Sequence, residues 1–549
     1  WPLLYLLGGG DHLLPLSIKE WDAITQQFAG YGQIHKEFER GYDWFHQGES
    51  YIYFYYLSLA DPARRKQVER AQRFAGLYLN EDPEAPNYDP EHKLIRAPHN
   101  GSGGPRWGFS DEDPPSYSWS PGMRRYGLPF HDVPGIGHYD DLKDPALALR
   151  LGQAMHERLG RGDVPANLAA TSLVTNAYLH TGDDKYKRWV LDYVEAWIDR
   201  ARQNGGLLPD NIGLTGQIGE YNSGRWWGGL YGWTWPHGFY NIGMAAIIAA
   251  ANAMLLTGDT RYLDLPRTQI DRIIELGVTD DGTLKVPYRY GDQGWFEYRQ
   301  LDLLYPVAVW IMSMDPADLA RIERLRAAST TDWRAVHSFR NKHDDGHEAP
   351  WLRFLAGDNP EYPEAILRES LGQVYQRMKL ISEDQEDLSQ VHVHHWQQLN
   401  PVLTEGLVQL TLGAPQVVYN GGLLMAPLRY FDAHGQRAGL PPDVAALVEK
   451  LAADRAVVHL VNLSPVHDRE VVIQAGAFGE HRLTTARVIG PDEPEPDSFI
   501  RVNGKHLTVQ LPPGTELRLD LGMERFVHHS SLTLPWHRSN SRSSQAATG

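Results

Sequence analysis

Cysteine is absent from all 549 residues. The chain therefore has no disulfide, no thiolate nucleophile and no thiolate metal site, and the lack of disulfides leaves its compartment open. Positive charge is in deficit: the formal net charge is −17, with a pI near 5.8. A phosphate-binding surface is broadly basic, so nucleic acid is disfavoured as the main partner. An acidic polymer is disfavoured only mildly, because local Arg and His in a cleft decide anion binding. No run approaches about 18 consecutive apolar residues, so a membrane span is not expected. The chain begins at Trp1 rather than Met, which suggests that a leader has been lost and that the protein is secreted or periplasmic. Aromatic residues, by contrast, are abundant: 17 Trp and 27 Tyr exceed what a core needs, and such an excess often lines binding surfaces.

The length is about twice that at which a single core stops growing, so two or more domains are expected. One pattern recurs along the first part: a helix, a Gly-Asp or Asp-Pro turn, then a second helix. It is seen at Leu57-Ser-Leu-Ala-Asp-Pro-Ala63, His180-Thr-Gly-Asp-Asp-Lys-Tyr186, Leu256-Thr-Gly-Asp-Thr-Arg-Tyr262 and Leu355-Ala-Gly-Asp-Asn-Pro-Glu-Tyr362. In the last three Gly can end the first helix in a left-handed residue, and in all four Asp or Asn can cap the next. The second and third copies, about 76 residues apart, share an apolar helix before the turn (168–179 and 242–256) and an amphipathic one after it (186–202 and 262–276). Both then run into Gly-rich segments at 204–210 and 280–287, which read as long loops. Repeats of this kind are stacked helix pairs with an inner and an outer member. An open solenoid is the alternative to a closed barrel, and long aromatic loops favour the barrel.

Beyond about Pro441 the period changes. The runs Val457–Leu463, Glu470–Gln474, Leu507–Leu511 and Glu516–Leu521 are apolar or alternating and are separated by Gly, Pro and Asn turns. The expected division is a helical catalytic domain over 1–440, an antiparallel β-sandwich over 441–527 and a tail over 528–549, poorly ordered or draped over the surface.

This organisation resembles the (α/α) toroid polysaccharide lyases and their glycoside-hydrolase relatives, over most of the chain and at the level of architecture. The resemblance implies an enzyme acting on a polysaccharide or oligosaccharide. For lyases it implies β-elimination at a uronic acid by Asn, Arg, His and Tyr side chains.

The densest candidate segment is Gly219–Gly243, in which four Trp, three Tyr and seven Gly fall within 25 residues. Such a loop suits aromatic platforms on tight turns, against which the C–H faces of sugars stack. Trp226, Trp227, Trp233 and Trp235 are the platforms, with Glu220, Asn222, Arg225, His237 and Asn241 as polar partners. The alternative is that these aromatics pack the interior end of the barrel. A second segment, 38–51, offers Trp44, His46, Gln47 and Glu49. A third, 96–104, offers His99 and Asn100 but lacks the strand and helix context of a phosphate loop. A fourth, Tyr288–Trp295, offers Arg289 as a carboxylate clamp, with Tyr290 and Trp295.

For elimination, Asn222 and an Arg (Arg225 or Arg289) would hold the sugar carboxylate. His237 and Tyr240 would be base and acid in either order, with His46 and His99 nearby in other loops. Hydrolysis would instead need two carboxylates about 5 or 6.5–9.5 Å apart, with Glu49, Glu220, Asp43 and Asp302 as candidates. A protein that binds glycan without turnover is the third reading. No cofactor is expected. A divalent metal is a weaker alternative, on His392, His394 and His395 or on His131, Asp132 and His138. The segment 396–412, with Gln397, Asn400 and Thr404, is expected to begin a further inner helix. The polysaccharide, its linkage and the oligomeric state are not legible.

Overall fold

The computed structural model describes residues 1–549 except 110–112, 122, 125–126, 339–345, 388–398, 491–498 and 538–549. The first part is helical: α1 (Pro2–Leu6), α2 (Leu13–Gly30), α3 (Trp44–Ala60), α4 (Arg65–Gly76), α5 (Pro145–Leu159), α6 (Ala170–Thr181), α7 (Asp184–Gln203), α8 (Phe239–Thr257), α9 (Asp264–Glu275), α10 (Leu304–Ser313), α11 (Pro316–Ala327), α12 (Glu348–Leu355), α13 (Tyr362–Glu383) and α14 (Glu405–Leu412). Short ribbons β1 (Ile34–His35) with β2 (Phe38–Glu39), and β3 (Tyr88–Asp89) with β4 (Leu94–Ile95), decorate its loops.

The expected hairpins form at all four turns. Gly182 and Gly258 end α6 and α8 in the left-handed region, at φ 66° and 74°. Asp183 and Asp259 then accept main-chain hydrogens at the start of the next helix. A further hairpin carries no Gly: Met314 takes the same left-handed position, at φ 51°, between α10 and α11, and Asp315 caps α11. Inner and outer members differ as the pattern implies. In α8 nearly every residue is buried, whereas α7 buries Tyr186, Trp189, Val190, Tyr193, Val194 and Trp197 on one stripe. Helix α8 is long and apolar enough to cross a membrane by length and composition, but 94% of its most apolar window is buried inside the protein.

Residues 280–287, expected as a long loop, belong largely to a three-stranded antiparallel sheet, in the order β5 (Val278–Asp280), β6 (Thr283–Gly291), β7 (Gly294–Arg299). Turn residues at 281–282 and 292–293 reverse the chain, with Gly282 in the left-handed region at φ 74°. The C-terminal part holds two antiparallel sheets. One is ordered β13 (Ile500–Gly504), β12 (Arg482–Val488), β15 (Glu516–Glu524), β10 (Arg455–Asn462), β9 (Val444–Ala452). The other is ordered β14 (His506–Leu511), β11 (Arg469–Ala475), β8 (Leu428–Asp432). Strand β8 lies ahead of residue 441, so strands begin earlier than the change of period suggests.

The junction between the two parts orients the helices. The Arg429 guanidinium donates to the Leu59 carbonyl near the end of α3, and Leu532 N donates to the Leu179 carbonyl in α6 at 2.9 Å. The Ser530 hydroxyl donates to the Leu255 carbonyl in α8 at 2.8 Å, and Arg525 donates to the carbonyls of Ile311 and Met312 in α10 at 2.7 and 3.1 Å. Carbonyls left over at a helix C-terminus need donors. Four successive inner helices thus turn their C-termini toward the β region and the segment 525–532, and their N-termini toward the opposite end.

Candidate functional site

The N-terminal end of α3 is built by one carboxylate. Asp43, 1% exposed, caps the helix by accepting from the main-chain N–H of Phe45 (3.1 Å) and His46 (3.2 Å), and its second oxygen lies 2.8 Å from His46 Nδ1. Burial works to raise the Asp43 carboxyl, but the His46 hydrogen bond and the imidazoles of His46 and His99 overcome it and hold the group below its ordinary value. The bond assigns Nδ1–H to the carboxylate and Nε2 as the basic nitrogen of His46, whose side chain is 44% exposed. Beside it, the Tyr42 ring lies 4.9 Å from His46 and stacks 6.1 Å from His99.

Three candidates of this region are scaffold rather than surface. Trp44 is fully buried and donates to Asn100 Oδ1 at 3.1 Å, where the Tyr78 hydroxyl also arrives at 2.7 Å. Asn100 donates in turn to Asn167, and Gln47 ties the carbonyls of Tyr42 and Asn100 together. Sugar contacts expected of Trp44, Gln47 and Asn100 are therefore replaced by a buried network that fixes the loop carrying His99 against α3.

The Gly219–Gly243 loop is organised from below by Asp210, a buried residue on which the sequence offered no signal. Its carboxylate accepts from Gly228 N at 2.7 Å and from Trp233 N at 2.8 Å. Burial pushes it up to about 7, against the pull of those N–H groups. Trp233 and Trp235 are buried, so for them the interior-packing alternative holds. Trp226, Trp227, Tyr290 and Trp295 form a half-buried aromatic block, with Trp226 stacked on Tyr290 at 4.7 Å and Trp295 edge-on to Tyr290 at 4.9 Å.

The polar residues of this loop are drawn into local bonds. Glu220 accepts from Thr215, Asn222 donates to the Trp227 carbonyl (3.0 Å), and Asn241 donates to the Tyr231 carbonyl (3.1 Å). Arg225 bridges Asp132 (2.7 Å) and Asp292 (3.3 Å) across a small cleft also lined by His131, Arg158, Asn222 and Trp227. Arg289 is spent on the Thr234 carbonyl (2.6 Å) and on Glu297 (3.2 Å), which accounts for its position without a substrate carboxylate. His237 and Tyr240 lie 6.1 Å apart, ring to ring, with the Tyr240 carbonyl accepting from Tyr305.

What the fold brings together is a different set. Tyr231, at the tip of the loop, places its ring 6.0 Å from His46, 5.8 Å from Phe45 and 5.1 Å from Trp235. Its phenol is raised well above the ordinary range, first by burial and then by the charges of Asp43, Tyr42, Tyr117 and Glu49. His46, His99 and Glu49 from the expected candidates thus lie in one neighbourhood with Tyr42, Asp43, Tyr117 and Tyr231. The sequence signal for Asp43 was the helix-cap position three residues before His46. Tyr231 sat within the chosen loop but had nothing to separate it from the other tyrosines.

The paired-carboxylate candidates fare differently. Asp43 and Glu220 hold turns, and Asp302 caps Leu304 N at 3.0 Å, its carboxyl raised by burial. Among the described residues no group of three or more His, Asp or Glu is arranged to hold a metal ion. His131 flanks Asp132 in the Arg225 cleft and His138 is exposed at the start of a short helical turn, while His392, His394 and His395 lie outside the described residues.

A family model described as a domain of unknown function (DUF8034) matches residues 1–285 and 279–408, and the chain belongs to that family. No curated protein matches it.

Proposed function

We propose that this member of the DUF8034 family is a polysaccharide lyase, cleaving a uronic-acid-containing polysaccharide by β-elimination in a helical domain of the (α/α) toroid type. The observation that carries the reading is the Asp43–His46 pair with the Tyr231 ring beside it, at the N-terminal end of an inner helix. Elimination needs a base for the acidic C5 proton and an acid for the departing oxygen. His46 Nε2, left as the acceptor nitrogen by the Nδ1–H bond to Asp43, takes the C5 proton. The C5–H electrons form the C4–C5 double bond, the C4–O bond breaks, and the oxygen takes the phenolic proton of Tyr231. A phenol with a raised pKa stays protonated for that step. His99, whose ring stacks on Tyr42 beside His46, offers a donor to the sugar carboxylate. A secreted or periplasmic location fits a polymer substrate. Hydrolysis is weakened because three of its four candidate carboxylates are engaged in caps and turns.

The experiment is incubation with a panel of uronate polysaccharides, following the ultraviolet absorbance of the unsaturated uronate product. Appearance of that product, slowed by about 10²–10⁴-fold but still measurable in His46→Ala and Tyr231→Phe, is expected. New reducing ends without absorbance would replace elimination by hydrolysis. Binding without either would leave a glycan-binding protein.

A further inference from the structure

Tyr231 is held in a backbone conformation that costs energy. Its φ of +54° is left-handed, a region that a bulky aromatic residue enters only against its steric preference. Something must over-determine it, and the bonds around the turn identify what does. The Asp210 carboxylate accepts from Gly228 N on one side of Tyr231 and from Trp233 N on the other. Asp210 N donates to the Trp226 carbonyl at 2.7 Å, so the residue grips the turn through main chain and side chain together. Two glycines allow this approach. A Cβ on Gly232 would lie 2.0 Å from the Asp210 carboxyl carbon, and one on Gly229 would lie 2.2 Å from the Asp210 carbonyl oxygen. The Tyr231 carbonyl is pinned separately by Asn241.

We propose that Asp210 is the positioning residue of this site, setting the Gly228–Trp233 turn so that the Tyr231 ring lies beside His46; the role rests on the reading of Tyr231 as proton donor. Asp210 touches no reacting atom and acts through Tyr231 alone. Asparagine at 210 keeps the volume but turns an N–H₂ group toward N–H donors, so one of the two grips is lost.

Two readouts test this. In Asp210→Asn, kcat on the uronate polysaccharide should fall by about 10- to 100-fold, the scale of an ångström-sized misplacement, with KM within about threefold. The same change made in Tyr231→Phe should cost nothing further, since both act on one group. Independently of turnover, the His46 imidazole signal in histidine-labelled protein, identified by its loss in His46→Gln, should move from its wild-type position, because the neighbouring Tyr231 ring is displaced. Gly232→Ala, which drives a Cβ into the Asp210 carboxyl, should produce the same movement and serves if Asp210→Asn fails to fold. An unmoved His46 signal in the folded variants, or an undiminished effect of Asp210→Asn on top of Tyr231→Phe, would overturn the proposal. Absence of any turnover by the wild type would sink the lyase reading, and the His46 signal would then decide the positioning role alone.

Discussion

Replacing Asp43 by Asn separates its two jobs. One carboxylate oxygen caps α3 through Phe45 N and His46 N, and the other receives His46 Nδ1–H. Asn has one acceptor oxygen, and if that oxygen keeps the cap, its N–H₂ group meets Nδ1. The imidazole must then accept at Nδ1 and carry its proton on Nε2, the nitrogen needed as base. General-base catalysis is worth roughly 10²–10⁴-fold, so the elimination rate should fall by about 10²–10³-fold. Stability should change by less than about 1 kcal/mol, because Asn is as good a helix cap as Asp. Asp43→Ala provides the contrast: it removes the cap and leaves two main-chain donors without an acceptor at ~1–3 kcal/mol each, so a loss of about 2–6 kcal/mol is expected. Initial rates from product absorbance and urea midpoints on the same preparations measure both. Retention of a third or more of the wild-type rate in Asp43→Asn, or a rate loss that merely tracks the fraction unfolded, would refute the reasoning.

Gly48 in α3 faces the main chain of 420–421, and a Cβ there would lie 2.0 Å from the Asn420 carbonyl oxygen. Gly→Ala inside a helix ordinarily gains about 1 kcal/mol. Here it should cost more than about 2 kcal/mol through overpacking, and a urea midpoint that rises instead would show that 420–421 is not held against α3. The second expectation concerns pH. Burial pushes Glu480, at the junction of the helical and β parts, from 4.5 up to about 7. Its folded pKa lies above its unfolded one, so its contribution is fully present below pH 4.5 and is lost as pH rises through 7, by at most ~3 kcal/mol. Urea midpoints should therefore decline across that window, Glu480→Gln should flatten the decline, and an unchanged slope in that variant would remove Glu480 as its cause.

Much of the architecture is legible in the sequence because it is written in local chemistry. Gly182 with Asp183 and Gly258 with Asp259 announce their turns through a left-handed residue and a cap. The hairpin at Met314 escapes notice because burial of its side chain holds a non-glycine residue in the same conformation. Strands β10, β11, β14 and β15 contain the alternating runs that predicted them, whereas β8, with four buried residues in succession, shows no alternation to read. The segment 280–287 looked like a loop because its Gly and Asp turn signals dominate, and the pairing of β6 with β7 is a tertiary outcome.

For the candidate site the boundary falls elsewhere. The site segments are legible in composition, since aromatic residues interleaved with Gly and polar groups favour turns that hold flat rings. Within them, Trp44, Trp233 and Trp235 look no different in sequence from Trp226 and Trp227, and only packing decided which are buried. The pairing of Tyr231 with His46 joins positions 185 residues apart in sequence, and no local pattern could report it. The amino-acid sequence alone determined the helix pairs, their turns and the C-terminal strands, because caps, left-handed glycines and hydrophobic period act within a few residues. Which tyrosine stands beside His46 was left to the tertiary structure, because contacts between distant segments depend on how each neighbouring element fills the space around them.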